Sequence, residues 1–251
     1  MLIRVFSDVH NEFLRTSKGL RQDLWVPEPT ELDSQAVLIL AGDIDNAKNI
    51  PEYLNSLAPR FKAVIHVAGN HEYYGTDIVK ANAKMKEGLL PNVHHLNNDH
   101  VTIEGQRFVG ATMWTNTTKN PLVQYLMNDY KKIRIGGGNY GRLSHLDTSA
   151  MFAETLQYFH NTVKSDDIVI THHQPLSPPS AGPYGKTLQD TDYAYYACLD
   201  TEVASWNPKA WIAGHIHDST HFKHYGTTVI TNCVGYPGDG DTHKKDSFYE
   251  I

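Results

Sequence analysis

The chain has 251 residues and a formal net charge of −6 with its 15 histidines neutral, long enough for one large α/β domain whose core needs no disulfide or structural metal. An acidic balance weighs against a dedicated duplex nucleic-acid binder, and two cysteines outside any C-x-x-C pattern, Cys198 and Cys233, weigh against a disulfide framework. The longest apolar run, AVLILA, falls far short of the ~20 residues of a membrane helix, and Arg4 and Asp8 break the N-terminal apolar run before it resembles a signal peptide. A cytoplasmic, membrane-free protein with reduced thiols is therefore expected.

In chain order, LIRVF comes first, AVLILAG follows from Ala36 and AVIHVAG from Ala63. Their length and β-branched content predict buried strands. Between them, residues 46–59 and 76–88 show helical spacing, the second opening on a Thr cap and closing on Gly88. Strands alternating with helices predict βαβ units and a parallel sheet in the N-terminal half. From residue 99, HVTIEGQRFVGATMW alternates about a Gly-containing turn and predicts an antiparallel hairpin. A helix over 148–164, strand-to-loop transitions in DIVITHH and KAWIAGHIH, and a late strand in TTVITNCVG complete the series. The expectation is an α/β fold in which two sheets meet with helices outside, as one domain over 1–251. Residues 114–147 and 173–206 interrupt it as long insertions, and loops of that length are commonly functional or disordered.

The segments just past the strands are chemically uniform: SDVH after the first, GD after the second, GNHE after the third, then THH and GHIH. In open α/β sheets residues at the carboxyl ends of strands converge on one site. Asp8 and His10 are two apart, as are His215 and His217, so each pair shares one face of an extended segment. Gly42, Gly69 and Gly214 each precede a candidate ligand, where a missing Cβ lets the backbone pass close to an ion. A single D-x-H or H-x-H is more often a surface pair than a ligand pair. Five such pieces in order at strand ends are far harder to obtain by accident.

The series Asp8-x-His10, Gly42-Asp43, Gly69-Asn70-His71-Glu72, His172 and Gly214-His215-x-His217 resembles the calcineurin-like metallophosphoesterase superfamily over almost the whole chain. The resemblance implies a four-layer α/β/β/α sandwich of two mixed sheets flanked by helices, with a dinuclear metal centre. Carried over position by position, Asp8, His10, Asp43 and His217 hold one metal. Asp43 bridges to a second, held by Asn70, His172 and His215, while His71 lies beside the metals as general acid for the leaving oxygen. Mixed N/O ligation admits two divalent ions from among Mn, Fe, Zn, Co and Ni. Two such ions bring more positive charge than two carboxylates and a hydroxide cancel, so a neutral Asn70 leaves roughly one positive unit to attract phosphate. Glu72 is expected to act as a helix N-terminal charge or a hydrogen-bond partner.

In GDIDNAKN, Asn46 stands three after Asp43 and no Arg-Gly follows, unlike the phosphoprotein phosphatases. The usual acidic partner of the GNH histidine is thus displaced, with Asp45 as a candidate. The motifs look more like those of class III cyclic-nucleotide phosphodiesterases and similar small bacterial or phage phosphoesterases, although repair exonucleases and lipid-precursor pyrophosphatases share them. The activity implied is hydrolysis of a small, nucleotide-like phosphodiester, with manganese among the candidate ions. A nuclease on single-stranded DNA or RNA, a phosphomonoesterase and a non-catalytic scaffold are the alternatives. In the first insertion, MNDYKKIRIGGGNYGR reads equally as a lid whose Lys131, Lys132, Arg134 and Arg142 meet phosphate, with Asn128, Asp129 and Tyr130 beside them, or as a solvated helix and Gly loop. Gly136–Gly138 lacks the strand-loop-helix setting of a nucleotide motif. In the second, Tyr193, Tyr196 and Leu199 at helical spacing favour core packing over base stacking. His173 and the pairs His94/His95 and His221/His224 are expected to be non-ligands.

Overall fold

Side-chain alternation along the strands sets the layers. In a computed structural model of the chain, which describes all residues except 17–18, 21, 137–140, 179–188 and 239–242, β1 (Leu2–Phe6), β2 (Val37–Ala41), β3 (Ala63–Val67) and β4 (Val93–His95) lie parallel in that order. A second sheet holds β5 (Asp99–Ile103), β6 (Gln106–Ala111), β7 (Ile168–Thr171), β8 (Ala210–Ala213), β9 (His221–His224) and β10 (Thr227–Thr231). Its spatial order is β9-β10-β8-β7-β6-β5, parallel inside with an antiparallel strand at each edge. The chain then returns to the first sheet as β11 (Phe248–Glu250), antiparallel to β1. Both sheets are therefore mixed.

Ile3, Val5, Ile39 and Ile65 of the first sheet pack against Phe108, Ile170, Ile212 and Ile230 of the second. The intervening residues Leu38, Leu40 and Val64 face outward onto α1 (Ile50–Leu57) and α2 (Ile78–Met85). The first insertion adds two one-turn helices, α3 (Val123–Leu126) and α4 (Asp129–Lys132). On the far side, Val109, Val169, Trp211 and Val229 are covered by Phe152 and Phe159 of α5 (His145–Thr162) and Val203 of α6 (Asp200–Trp206). The result is the four-layer α/β/β/α sandwich. It explains why VLILA is apolar throughout: both faces of a central parallel strand are covered, and each large side chain gains ~1.5–3 kcal/mol by burial. No described helix is long and apolar enough to cross a membrane.

The elements differ from expectation at their ends. The first helix starts at Ile50 rather than 46, because the Asp45 carboxylate accepts from Asn46 N–H and Asn49 Nδ2 and closes a turn there. The second starts at Ile78, capped by Asp77 accepting from Val79 N and Lys80 N, so Thr76 is not the cap, and it ends at Met85, short of Gly88. The fifth begins at His145, three residues early, on a Ser144–Asp147 capping box. The hairpin turns through Glu104 and Gly105, both at positive φ, as a two-residue turn requires. Strands β4, β9 and β11 were not expected, being short and partly polar. In the second insertion, Leu199 is buried in the core and Tyr196 is buried as well, but residues 195–199 are not helical. Residues 179–188 of that insertion lie outside the described residues.

Candidate metal centre

The loops that leave the strands are stitched to one another by backbone hydrogen bonds. Asp8, His10 and Asn11 N–H donate to the carbonyls of Gly42, Asp43 and Ile44, each at 2.9 Å, so the loop after β1 runs along the loop after β2. Gly214 N–H donates to His172 O at 2.9 Å in the second sheet. Asp8, His10, Asp43, His215 and His217 all hold left-handed backbone, with φ of 54, 54, 56, 70 and 50°. That conformation is uncommon for residues with a Cβ and costs on the order of 1–2 kcal/mol each. Two glycines permit the close approach that results: a Cβ on Gly42 (φ +87) would run into the His172 ring, and one on Gly69 into the Asp43 carboxylate.

The side chains converge in two corners. In the buried corner, His172 donates Nδ1–H to Ala41 O at 2.9 Å, and its Nε2 lies 3.1 Å from Asn70 Oδ1, 3.1 Å from His215 Nδ1 and 3.4 Å from Asp43 Oδ2. Asn70 is oriented by Nδ2 donating to Asp129 Oδ1 at 2.8 Å. Oδ1, Nε2 and Oδ2 are thus lone pairs facing one another, and only a proton or a cation relieves their repulsion. Burial opposes charge on His172, but Asp43 and Asp8 outweigh it and raise its pKa to about 10, whereas burial and two neighbouring imidazoles push His215 well below its usual value. In the open corner His10 Nε2 and His217 Nε2 are 3.1 Å apart, His217 Nε2 is 3.5 Å from Asp8 Oδ1, and His10 Nε2 is 3.9 Å from Asp43 Oδ2. Ser7 Oγ and His215 N–H both donate to Asp8. Asp8, His10 and His217 form one group with the spacing a metal needs, and Asp43, His172 and His215 another. Asp43 Oδ2 faces both corners, so the donor set fits two cations.

Three carboxylates support this arrangement. Glu72 is fully buried and accepts from the N–H of Asp43, Ile44 and Gly69 at 3.0, 2.7 and 2.7 Å. It is a hydrogen-bond partner that clamps the second loop to the third. Glu12 accepts from Nδ1 of both His10, at 3.1 Å, and His71, at 2.7 Å. Glu12 therefore occupies the place offered to Asp45, which is instead bound by Arg15 and Asn49. Asp129 holds Asn70 and Tyr74, whose hydroxyl donates to it at 2.7 Å.

His71 stands at the rim, its N–H donating to Asp43 Oδ1 at 2.8 Å and its Nε2 4.0 Å from Asp43 Oδ2. It also groups with His10 and Asp43 at ligand-like spacing. Burial works against its charge, but Asp43 and Glu12 raise its pKa to about 9. The corners open into a cleft of about 470 Å³ walled by Phe13, Tyr74, Tyr195 and Tyr236, with Asn128 and Lys132 from the first insertion. Tyr236 stacks on His10 with centroids 4.3 Å apart. Of the expected lid, Asn128 and Lys132 line the cleft, Asp129 and Tyr130 are buried, and Gly137 and Gly138 lie outside the described residues. His173 is tied by Nδ1 to Thr112 O, and His95 by Nδ1 to His66 Nδ1. Neither these nor His94, His221 and His224 enter a metal-like group among the described residues.

The strand ends of the two-sheet sandwich thus bring together a His/Asp cluster able to hold divalent metal. A calcineurin-like phosphoesterase family model matches residues 1–219, and the chain belongs to that family. The chain is similar to protein L509 of Acanthamoeba polyphaga mimivirus, with 27% identity over 275 residues that cover 98% of this chain and 94% of that protein. Its fold is similar to that of the phosphopantetheinyl hydrolase PptH from Mycobacterium tuberculosis, with a TM-score of 0.63, 16% identity, and 94% and 90% of the two chains covered. It also resembles TT1561 of Thermus thermophilus, with a TM-score of 0.51, 12% identity, and 92% and 88% covered.

Proposed function

We propose that the chain is a phosphodiesterase for small organic diesters, with Asp8, His10, Asp43 and His217 around one divalent ion and Asp43, Asn70, His172 and His215 around a second. Two bound ions, Mn, Fe, Zn, Co or Ni, supply Lewis-acid charge to the phosphoryl oxygens and lower the pKa of water. His71 is the general acid. Its Nδ1–H is committed to Glu12, which leaves Nε2 to hand a proton to the leaving oxygen on the cleft side. Tyr74 lies against its ring at 4.2 Å.

The choice of diester rests on what lines the cleft: aromatic walls, and Lys132 as the single Lys or Arg among the described lining residues. At the metal corners themselves, a monoester dianion needs more positive charge than two divalent ions offset by Asp8, Asp43 and a hydroxide would provide. A singly charged diester needs less, and leaves one ester group to lie against Phe13 and Tyr236. The acidic balance of the chain weighs against a polynucleotide.

With Mn²⁺ present, bis(p-nitrophenyl) phosphate should be turned over more efficiently than p-nitrophenyl phosphate. His71→Ala should keep its metal content yet lose on the order of 10²–10⁴-fold on a dialkyl-type diester, and less on the aryl diester, whose leaving group needs less protonation. A preference for the monoester would assign the protein to phosphatases. Loss of metal in His71→Ala would make His71 a ligand.

A further inference from the structure

Lysines line the catalytic cleft and the cavity beside it, with Tyr74 shared between the two. Lys132 Nζ sits over the Tyr74 ring, 4.7 Å from its centroid, and the Tyr74 ring is 4.2 Å from that of His71. These separations keep the ammonium within about 9 Å of the imidazole. Tyr74 is itself held by its hydroxyl on Asp129, so the lysine rests on a fixed aromatic platform that attracts a cation. Tyr74 also lines an adjoining cavity of about 640 Å³ into which Lys48, Lys80 and Lys84 face. Lys80 and Lys84 are four apart on α2, hence on one side of it. Lys84 pairs with Glu87 at 2.8 Å, whereas Lys48, Lys80 and Lys132 have no ion-pair partner among the described residues.

In a chain of net charge −6, an ammonium group on the wall of a phosphoesterase cleft, with two more unpaired ones lining the adjoining cavity, is placed for an anion. Solvated lysines alone would explain Lys48 and Lys80, but Lys132 is drawn into the cleft against Tyr74. Resting on the phosphodiesterase reading above, we infer that the preferred substrate carries a second phosphate on its leaving portion, seated by Lys132 beyond His71, with Lys48 and Lys80 extending the same field. An ammonium binds phosphate as a compact point charge, and a terminal phosphate is the second anion that a nucleotide-like diester carries. The ligand class is thus a small phosphodiester bearing a terminal phosphate.

The test compares a deoxydinucleoside monophosphate with the same compound phosphorylated at both terminal hydroxyls, so that a second phosphate is present whichever ester bond breaks. The wild-type protein should show a KM about tenfold lower for the phosphorylated compound, the scale of one charge-assisted contact. In Lys132→Met that ratio should fall to near one, Lys132→Arg should restore it, and the double variant Lys48→Met/Lys80→Met should lower it in part. A ratio near one in the wild type, or one that Lys132→Met leaves unchanged, overturns the inference. Affinity that keeps rising with oligonucleotide length and falls steeply with salt also overturns it, in favour of a polynucleotide track. If bis(p-nitrophenyl) phosphate is turned over and the ratio is one, this inference alone fails. If no diester is turned over, the phosphodiesterase reading fails and takes the inference with it.

Discussion

The two corners of the centre are built differently. Around His172 the donors are enclosed: its side chain has no exposure, its ring is fixed by Ala41 O and the Asn70 amide is fixed by Asp129. Around His217, whose side chain is 25% exposed, enclosure comes from a partly exposed tyrosine stacked on His10, and orientation from Glu12 in the single 3-10 turn Asn11–Leu14. A ligand set locked by buried hydrogen bonds resists exchange of its ion, while one facing a cleft admits substrate and solvent. The buried corner is therefore expected to hold its ion more tightly and the open corner to meet the substrate.

The largest effect should come from removing what the corners share. Asp43→Ala should reduce turnover of bis(p-nitrophenyl) phosphate to background and lower metal content at both corners, read by elemental analysis after metal-supplemented purification. Retention of a full metal complement would show that Asp43 does not bridge. Next comes Asp129→Ala, which frees the Asn70 amide to rotate. Loss of such an outer partner typically costs 10–100-fold in metal affinity, and here it should weaken one ion of the pair. An equal effect on both ions would erase the distinction between the corners. Smallest is Tyr236→Ala, which should raise KM for an aryl diester severalfold, in line with ~0.5–1.5 kcal/mol for an aromatic contact, and leave metal content alone.

The candidate ligands could be picked out because they stand at strand ends, and the strands were legible because covering both faces makes them apolar throughout. Glu72 was readable as a hydrogen-bond acceptor, though not as the clamp between two loops, since its partners are backbone N–H groups that any sequence supplies. Glu12 carried no signal, and Asp129 was readable only as a neighbour of the lid's basic residues, not as the partner of Asn70. Glu12 lies two residues beyond a candidate ligand it orients, and Asp129 reaches Asn70 from an insertion 59 residues away in sequence. Tyr195 and Tyr236 line the cleft from irregular segments where no periodicity operates. For β4, β9 and β11, the runs VHH, HFKH and FYE are too short and too polar to stand out, and pairing with a neighbouring strand is what makes them strands. The Ser144-x-x-Asp147 box stands in the sequence at the true start of α5, three residues ahead of the start that helical spacing alone gives.

The left-handed backbone at five of the candidate ligands sets stability against activity at those positions. Glycine adopts that conformation freely, so His217→Gly and His217→Ala, which both delete an imidazole from the open corner, should differ in folding free energy by ~1 kcal/mol in favour of glycine, or roughly 2–4 °C in melting temperature for a chain of this size. The sturdier variant would be as inert as the weaker one. A laboratory selection that rewarded only thermal endurance would drift toward glycine at this position and discard the centre.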